Sequence, residues 1–550
     1  PVSLSAETVS SIYEDRGGVL WIGTYSGGIN KHDPAQERFA YYRHESDNPS
    51  SLSDDFVFSI CVQPNGRVWV GTYGGGLEEF IPSTGVFRHF RYDAQNPSGL
   101  PNNYVWTIYS DSQNDLWVST NRGLSRLDPV TERITNYTFS SDDPDIIDPG
   151  LIYAMAEDAS GTLWLATRHG LGRFNREQGL FLPETFRGPS SPTIDDRIVS
   201  LLIDHSGMIW FGTFDKGLYR YSTSNRQLQN FRASSSETGA LSNNSITSIF
   251  EDSNNIIWIA TAGGGLNRYD AVSGTFHAYS EDNGLSSNLI YGIMEDSQGY
   301  LWMSTNSGIA RFDSRTETFR RFTVNDGLGS MDFNAGSFAE SPNGAMYFGT
   351  TNGLNVFRPE QIQDSVYAPP IALTFVTVEG ESLDNAQIPD AVTSLRIEHP
   401  QNSFEFEFVA LGFEDPERNQ YAYKLEGFDQ DWNLLGTQHG GRYTNVPGGE
   451  YTLLLKVANS DGVWSDDWLK IPVVVVPPYW QTTWFRLSVA AGLYAMALIG
   501  YRLRVRNVET RNRELEQVVR SRTAELEKLF VQNKDLAVIE ERNRLARDLH

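Results

Sequence analysis

Apolar and polar positions along residues 245–279 fall into four short runs separated by turn residues. Residues 245–251 alternate, the period of a half-buried strand. Asp252, Ser253, Asn254 and Asn255 follow, side chains that favour turns. A β-branched run around Trp258, three glycines from Gly263 to Gly265, and runs at 266–270 and 275–279 complete a four-stranded unit.

The unit recurs. A bulky residue, an apolar one, a small one and Thr stand together at Trp21-Ile22-Gly23-Thr24 and again from Trp69, Trp117, Trp164, Trp210, Trp258, Trp302 and Tyr347. The spacings are 48, 48, 47, 46, 48, 44 and 45 residues. Four strands at that period predict β-propeller blades, and no unit contains the helix-length amphipathic run that a helical solenoid needs. The small residue predicts close approach of neighbouring blades. The Trp predicts an apolar filling between them, about 2–3 kcal/mol for each fully buried ring. Asp15, Asp111, Asp158, Asp204, Asp252 and Asp296 each stand six residues before a Trp. Turn context predicts that each bonds its own turn, rather than joining a ring of metal or ligand carboxylates; no metal site is expected.

The last unit has no fourth strand, because Arg358-Pro359 follows its third. An open edge is a hazard, and residues 39–42 are the nearest strand that could fill it. Units two to eight would then form a seven-bladed ring, with residues 9–33 left over. The rival is an eight-bladed ring closed by a strand before Pro1.

Repeats such as Ile246-Thr247-Ser248-Ile249-Phe250-Glu251-Asp252 with Ile257-Trp258-Ile259-Ala260-Thr261 resemble the two-component regulator propeller family. The resemblance spans residues 1–358. It implies two seven-bladed rings in tandem, with 1–38 a partial blade of a preceding propeller and 39–364 a complete ring. Pro1 in place of Met puts the expected N-terminus earlier.

Pro369-Pro370 marks a change of character. Phe404-Glu405-Phe406-Glu407-Phe408 alternates strictly, and residues 451–457 form another strand run. Residues 365–480 therefore read as an immunoglobulin-like β-sandwich. Tyr421, Tyr423, Tyr443 and Gly448-Gly449-Glu450-Tyr451 resemble the three-tyrosine domain that follows such propellers; packing is the expected role of these rings.

Residues 487–501 carry no charge. Counted from Trp484 to Leu503, with Arg486 and Arg502 snorkelling, the segment predicts a transmembrane helix over 484–503. Trp480, Trp484 and Phe485 form an aromatic belt on one flank, and Arg502, Arg504, Arg506, Arg511 and Arg513 crowd the other. The basic flank places residues 504–550 in the cytoplasm and 1–480 in the periplasm of a bacterial inner membrane, single pass. From Tyr501 onward there is neither Gly nor Pro, and Leu515, Val519, Arg522, Leu526, Leu529, Asn533 and Leu536 step by four and three. That is a coiled-coil seam over 504–539 and predicts a homodimer, with Asn533 setting its register.

The chain ends Glu540-Glu541-Arg542-Asn543-Arg544-Leu545-Ala546-Arg547-Asp548-Leu549-His550, which resembles the phosphoacceptor box of the subclass-3 histidine-kinase dimerisation family. The resemblance implies that 540–550 begins that domain and that His550 is the phosphoacceptor. It implies a response regulator as partner, with ATP and Mg2+ held by a kinase domain beyond residue 550. The fold class expected overall is mainly β: propeller, sandwich, one transmembrane helix and a long coiled-coil helix.

Charge sharpens this picture. The net charge is −25, yet residues 501–550 hold 12 Lys/Arg and 9 Asp/Glu, leaving −28 on residues 1–500. So acidic an ectodomain argues against direct nucleic-acid binding. Cys61, the single cysteine, excludes an intrachain disulfide and reads as a small buried hydrophobe. The expected function is periplasmic ligand sensing by a transmembrane histidine kinase of a two-component phosphorelay. The resemblance makes a small molecule or oligosaccharide the ligand, with its binding residues unknown. A receptor with another output, such as a nucleotide cyclase, and a propeller carbohydrate-active enzyme are the alternatives. The enzyme would need two converging carboxylates, and the sequence offers only the repeated turn aspartates.

Overall fold

The computed structural model describes all residues except 1–3, 138, 140–149, 185, 187–195, 363–364, 366, 380, 383–393 and 548–550, and the side chains of 35–36, 381–382 and 545–547. The chain divides into two compact units. One holds residues 1–370 with 410–420 and 458–465; the other holds 371–409, 421–457 and 466–550.

The first unit is a propeller. Among the described residues, seven four-stranded antiparallel sheets form its blades. Their inner strands are Val57–Val62, Val105–Ser110, Ile152–Glu157, Ile198–Ile203, Ile246–Glu251, Ile290–Glu295 and Phe333–Glu340, numbered here as blades 1 to 7. Each inner strand lies beside the next, and Phe333–Glu340 lies beside Val57–Val62, so the ring is closed. The closing strand is Phe39–Tyr42, antiparallel to Gly353–Phe357 of blade 7, with Phe39 opposite Phe357 and Tyr42 opposite Leu354. The first strand of the ring thus covers the edge left where Arg358-Pro359 ends pairing, and the ring has seven blades.

The Trp repeat explains the radial packing. Trp69 of blade 1 is fully buried against Leu116 and Val118 of blade 2, and Trp117 is buried against Leu163 and Leu165 of blade 3. Tyr347 of blade 7 packs on Val68, Val70 and Phe80 of blade 1 and closes the cycle. The small residue is needed where blades touch. A Cβ on Gly71 would lie 2.5 Å from Val105 Cγ1 of the next blade, and one on Gly349 would lie 2.5 Å from Val57 Cγ1.

Upstream of the ring, Val9–Glu14, Leu20–Thr24 and Gly28–His32 form a three-stranded sheet with the same repeat sequence. Its Ile12, Tyr13, Tyr25 and Ile29 are exposed, where the ring blades bury apolar residues against a neighbour.

The second unit contains a β-sandwich and a helix. One sheet pairs Glu381–Ser382, Ile371–Val378, Phe404–Ala410 and Gly440–Tyr443; the other pairs Leu395–Ile397, Leu469–Val475, Gly449–Ala458, Gln420–Glu426 and Asn433–Gly436. Phe404, Phe406 and Phe408 are buried while Glu405 and Glu407 are exposed, as strict alternation requires. Tyr423 and Tyr443 meet edge to face at 5.5 Å, and Tyr421 packs on Phe408 at 5.4 Å. The Tyr443 hydroxyl donates to Asp429, whose carboxylate also accepts from the Leu425 amide at 2.8 Å. Burial and that bond hold the Tyr443 phenol above its usual pKa.

The sandwich leads into one uninterrupted helix, Thr483–Arg547, of 65 residues. Its apolar N-terminal part has a mean hydropathy of 1.3 over 18 residues, with none of that window buried. This is a candidate membrane span. Further along, Leu515, Val519, Leu526, Leu529 and Leu536 are all exposed.

Candidate functional site: an aromatic face beside a cationic pocket

The repeated aspartates are structural. In each of the six, Oδ1 accepts the backbone amides two and four residues on at 2.9–3.0 Å. Oδ2 accepts the indole N–H of the repeat Trp at 2.7–2.9 Å. A Trp buried between blades must place its N–H somewhere, and the spacing of six residues provides for it. In blade 1, Gln63 takes over, accepting from Trp69 at 2.9 Å. The indole partner is a role that turn chemistry alone does not reveal.

The blades differ from one another at the opposite ends of the inner strands. In blades 1 to 6 the register slips by one residue near the strand start. Such a β-bulge leaves one residue unpaired and re-aims its side chain. The unpaired residues are Phe58, Trp106, Tyr153, Val199, Thr247 and Tyr291, all half-buried. The first three are aromatic and occupy consecutive blades. Phe58 and Trp106 lie 4.8 Å apart in edge contact, and Trp106 and Tyr153 lie 6.1 Å apart. Phe56, Tyr73 and Tyr104 extend the cluster: Phe56 stacks on Phe58 at 5.1 Å and Tyr73 meets Tyr104 at 4.7 Å. Tyr73 is 44% and Tyr104 37% exposed. A continuous run of rings therefore crosses from blade 1 to blade 3 and reaches solvent.

A pocket of about 510 Å³ adjoins it, lined by Asn121, Arg122, Phe139, Leu151, Arg168 and His169, among others. Asn121 links the two features, since its side-chain oxygen accepts the Trp106 indole N–H at 2.5 Å. Arg122 stands over the Tyr92 ring at 5.7 Å. Among the described residues no carboxylate forms an ion pair with Arg122 or Arg168. Blade 1 lies differently on its other side: Glu79 holds both Arg67 and Arg88, at 2.6 and 2.8 Å.

A second cavity, about 650 Å³, lies within the first unit between the three-stranded sheet and loops 410–420 and 458–465. Its carboxylates are engaged: Asp15 holds Trp21, and Glu414 accepts from Ser365 Oγ at 3.2 Å. Burial raises the Glu414 pKa. The same loops are tied to the ring by Arg320 with Asp461 at 2.6 Å and Arg418 with Asp326 at 3.3 Å. Burial lowers the Arg320 pKa to about 10.

Cys61 is half-buried beside the Trp69 cluster, and burial pushes its thiol up to about 12. His550 lies outside the described residues; the helix that leads to it is described through Arg547. The aromatic face was missed by sequence reasoning, which left the ligand residues unknown. Its signal was present: the position after the first strand residue is aromatic in consecutive units and Val or Thr in the next two.

Comparison with known proteins gives these features a context. The profile described as "Two component regulator propeller" matches residues 3–26, 51–74, 99–122, 240–263 and 284–307, and the Y_Y_Y domain matches 412–476. The extracellular domain of BT3049, a protein assigned to the hybrid two component systems, from B. thetaiotaomicron, superposes with a TM-score of 0.70 at 27% identity. The match covers 86% of this chain and 62% of that one. Histidine kinase P4 of Formosa agariphila is 26% identical over 232 residues, covering 39% of this chain and 17% of the kinase. The chain thus spans less than two thirds of either relative. It carries two-component regulator propeller repeats followed by a Y_Y_Y domain.

Proposed function

We propose that the chain is the sensory and phosphoacceptor part of a transmembrane histidine kinase in a two-component phosphorelay. The observation that carries this reading is the uninterrupted helix Thr483–Arg547. It begins at the end of the Y_Y_Y domain, contains the apolar span, and runs into the box that ends in His550. At about 1.5 Å per residue it is long enough to cross the hydrocarbon core and continue well beyond it.

Residues 1–480 lie in the periplasm and 504–550 in the cytoplasm of the inner membrane. The exposed leucine seam pairs two copies as a homodimer, with Asn533 setting its register. A periplasmic small molecule or oligosaccharide binds the propeller better in one dimer packing than in the other; without that difference nothing is transmitted. Loops 410–420 and 458–465 are continuous with sandwich strands and ion-paired to Arg320 and Asp326 of the propeller unit, so a change in the ring can pass to them.

In the cytoplasm a neutral imidazole nitrogen of His550 attacks the γ-phosphorus of ATP. The N–P bond forms, the bond to the ADP oxygen breaks, and the ring proton passes to a neighbouring carboxylate. The phosphoryl group then moves to a response regulator. ATP and Mg2+ belong to the kinase domain, and no described residue is assigned to hold them.

The test is labelling with γ-phosphate-labelled ATP of the gene's complete product in membranes. Acid-labile label is expected on the parent and should be absent from His550→Gln, with crosslinked dimer unchanged. Persistent label on the variant would remove His550 from the reaction.

A further inference from the structure

Blade 5 shows how the repeat fastens the segment that leads into a blade. Ser242 donates its amide to Asn267 Oδ1 at 3.0 Å, and Asn267 Nδ2 donates to Ser242 Oγ at 2.7 Å. Asn267 is fully buried, and the residue opposite it on the outer strand is Ala278. Blade 7 uses the same neutral device: Asn355, also fully buried, accepts the Gly329 amide at 2.8 Å.

Blade 1 makes the equivalent bonds with ionisable groups. Glu78 stands in the place of Asn267, and His89 in the place of Ala278. The Glu78 carboxylate is fully buried and accepts from the Ser53 amide at 3.2 Å and from the Ser53 hydroxyl. His89 Nδ1 lies 3.2 Å from Glu78 Oε2, and Nε2 lies 2.9 Å from the Pro49 carbonyl oxygen. A carboxylate and a carbonyl can only accept. A neutral imidazole carries one N–H, so either tautomer turns a lone pair against one of these oxygens; the imidazolium donates to both. The His89 side chain is 19% exposed, so protons reach it from water.

Pro49 and Ser53 belong to the connector 43–56, which joins the closing strand Phe39–Tyr42 to the first inner strand, Val57–Val62. A buried ion pair carries a desolvation cost that the Asn267 pattern avoids, and blades 5 and 7 fold without one. What the charged version adds is a response to protons. The other charged groups of these elements are engaged elsewhere. Glu79 holds Arg67 and Arg88, Asp54 accepts the Phe56 amide, Asp55 accepts the His44 amide, and Glu45 accepts from Asn48.

We infer that Glu78 and His89 form a proton-operated clasp on the connector 43–56, closed on Pro49 and Ser53 while the imidazole is protonated and loosened when it is neutral. The bond to Glu78, above all, holds the His89 pKa above its ordinary value, against burial and the charge of Arg91. The clasp is therefore complete below about pH 6.5, the ordinary histidine value, and is lost as pH rises through the raised value of the folded protein. Only its exposure to the pH of the medium rests on the periplasmic placement of the ring; in a cytoplasmic ring the clasp would stand, shielded from the medium.

The experiment is hydrogen exchange of the full chain in lipid nanodiscs, read by mass spectrometry and corrected for the intrinsic pH dependence of exchange. Between pH 6 and pH 8.5, protection of 43–56 in the parent should fall about threefold or more, while the equivalent segment 236–245 of blade 5 keeps its protection. Glu78→Asn combined with His89→Ala gives blade 1 the blade 5 pair and should leave 43–56 equally protected at both pH values. Should that variant not unfold cooperatively on heating, His89→Gln takes its place with the same expectation, since it keeps a donor for the Pro49 carbonyl and does not titrate. Constant protection in the parent would overturn the clasp. So would a fall that persists in the variant, which would belong to another group such as His44, whose Nδ1 lies 2.7 Å from the Leu52 carbonyl oxygen in the same connector. A matching fall at 236–245 would mark a response of the whole ring and overturn it as well.

Discussion

Asp252 uses both carboxylate oxygens within its own blade, Oδ1 on the amides of Asn254 and Ile256 and Oδ2 on the Trp258 indole at 2.8 Å. Removing it leaves a fully buried indole N–H and two turn amides without their acceptor. Asp252→Ala should therefore cost about 1–3 kcal/mol, read as a lower urea midpoint of the propeller's tryptophan fluorescence. An unchanged midpoint would mean that the bond adds nothing. The aspartates were legible in the sequence as turn residues. Their second bond was not, because it depends on the indole edge returning over the turn, a three-dimensional fact. The aromatic bulge residues were hidden for a related reason: alternation marks Phe58, Trp106 and Tyr153 as ordinary strand residues, and only the slipped register turns them out of the blade.

Whole strands were easier to read than single side chains. The unit at 245–279 folds as Ile246–Glu251, Ile257–Thr261, Leu266–Asp270 and Thr275–Tyr279, because turn residues bracket each run. The closing strand followed from a missing one: Arg358-Pro359 leaves an edge, and Phe39–Tyr42 covers it. Phe39 anchors that strand, 5% exposed, with its ring 4.9 Å from Phe357 and 5.7 Å from Phe322. Phe39→Ala should destabilise closure by about 3–5 kcal/mol. Limited proteolysis should then cut near residues 34–42 well before the remaining blades; protection equal to the parent would show that the strand is not the clasp. Pattern did not assign loops 410–420 and 458–465 to the propeller unit. They lie in the sandwich stretch of sequence, and ion pairs to distant residues such as Arg320 and Asp326 leave no local signature.

At the scale of the whole molecule, three kinds of surface follow one another along the chain: an acidic ring of blades, an exposed apolar helix segment, and a basic helical tail. Each suits a different surroundings, and the order allows one crossing of a membrane by one helix. The propeller and the Y_Y_Y domain were legible because repeats and alternation are local patterns. The aromatic face was not, since it arises only when consecutive blades bring their inner strands together. The account's central claim is that the helix joins a sensor outside to a phosphoacceptor segment inside. Cys61, the single native cysteine, has a thiol raised to about 12 by burial, so introduced cysteines can be read against a quiet background. The decisive measurement is labelling of Val272→Cys and Glu541→Cys with a membrane-impermeant maleimide in intact spheroplasts. The account predicts labelling of the Val272→Cys protein at once, and of the Glu541→Cys protein only after lysis. Equal labelling of both before lysis would contradict a single crossing between them.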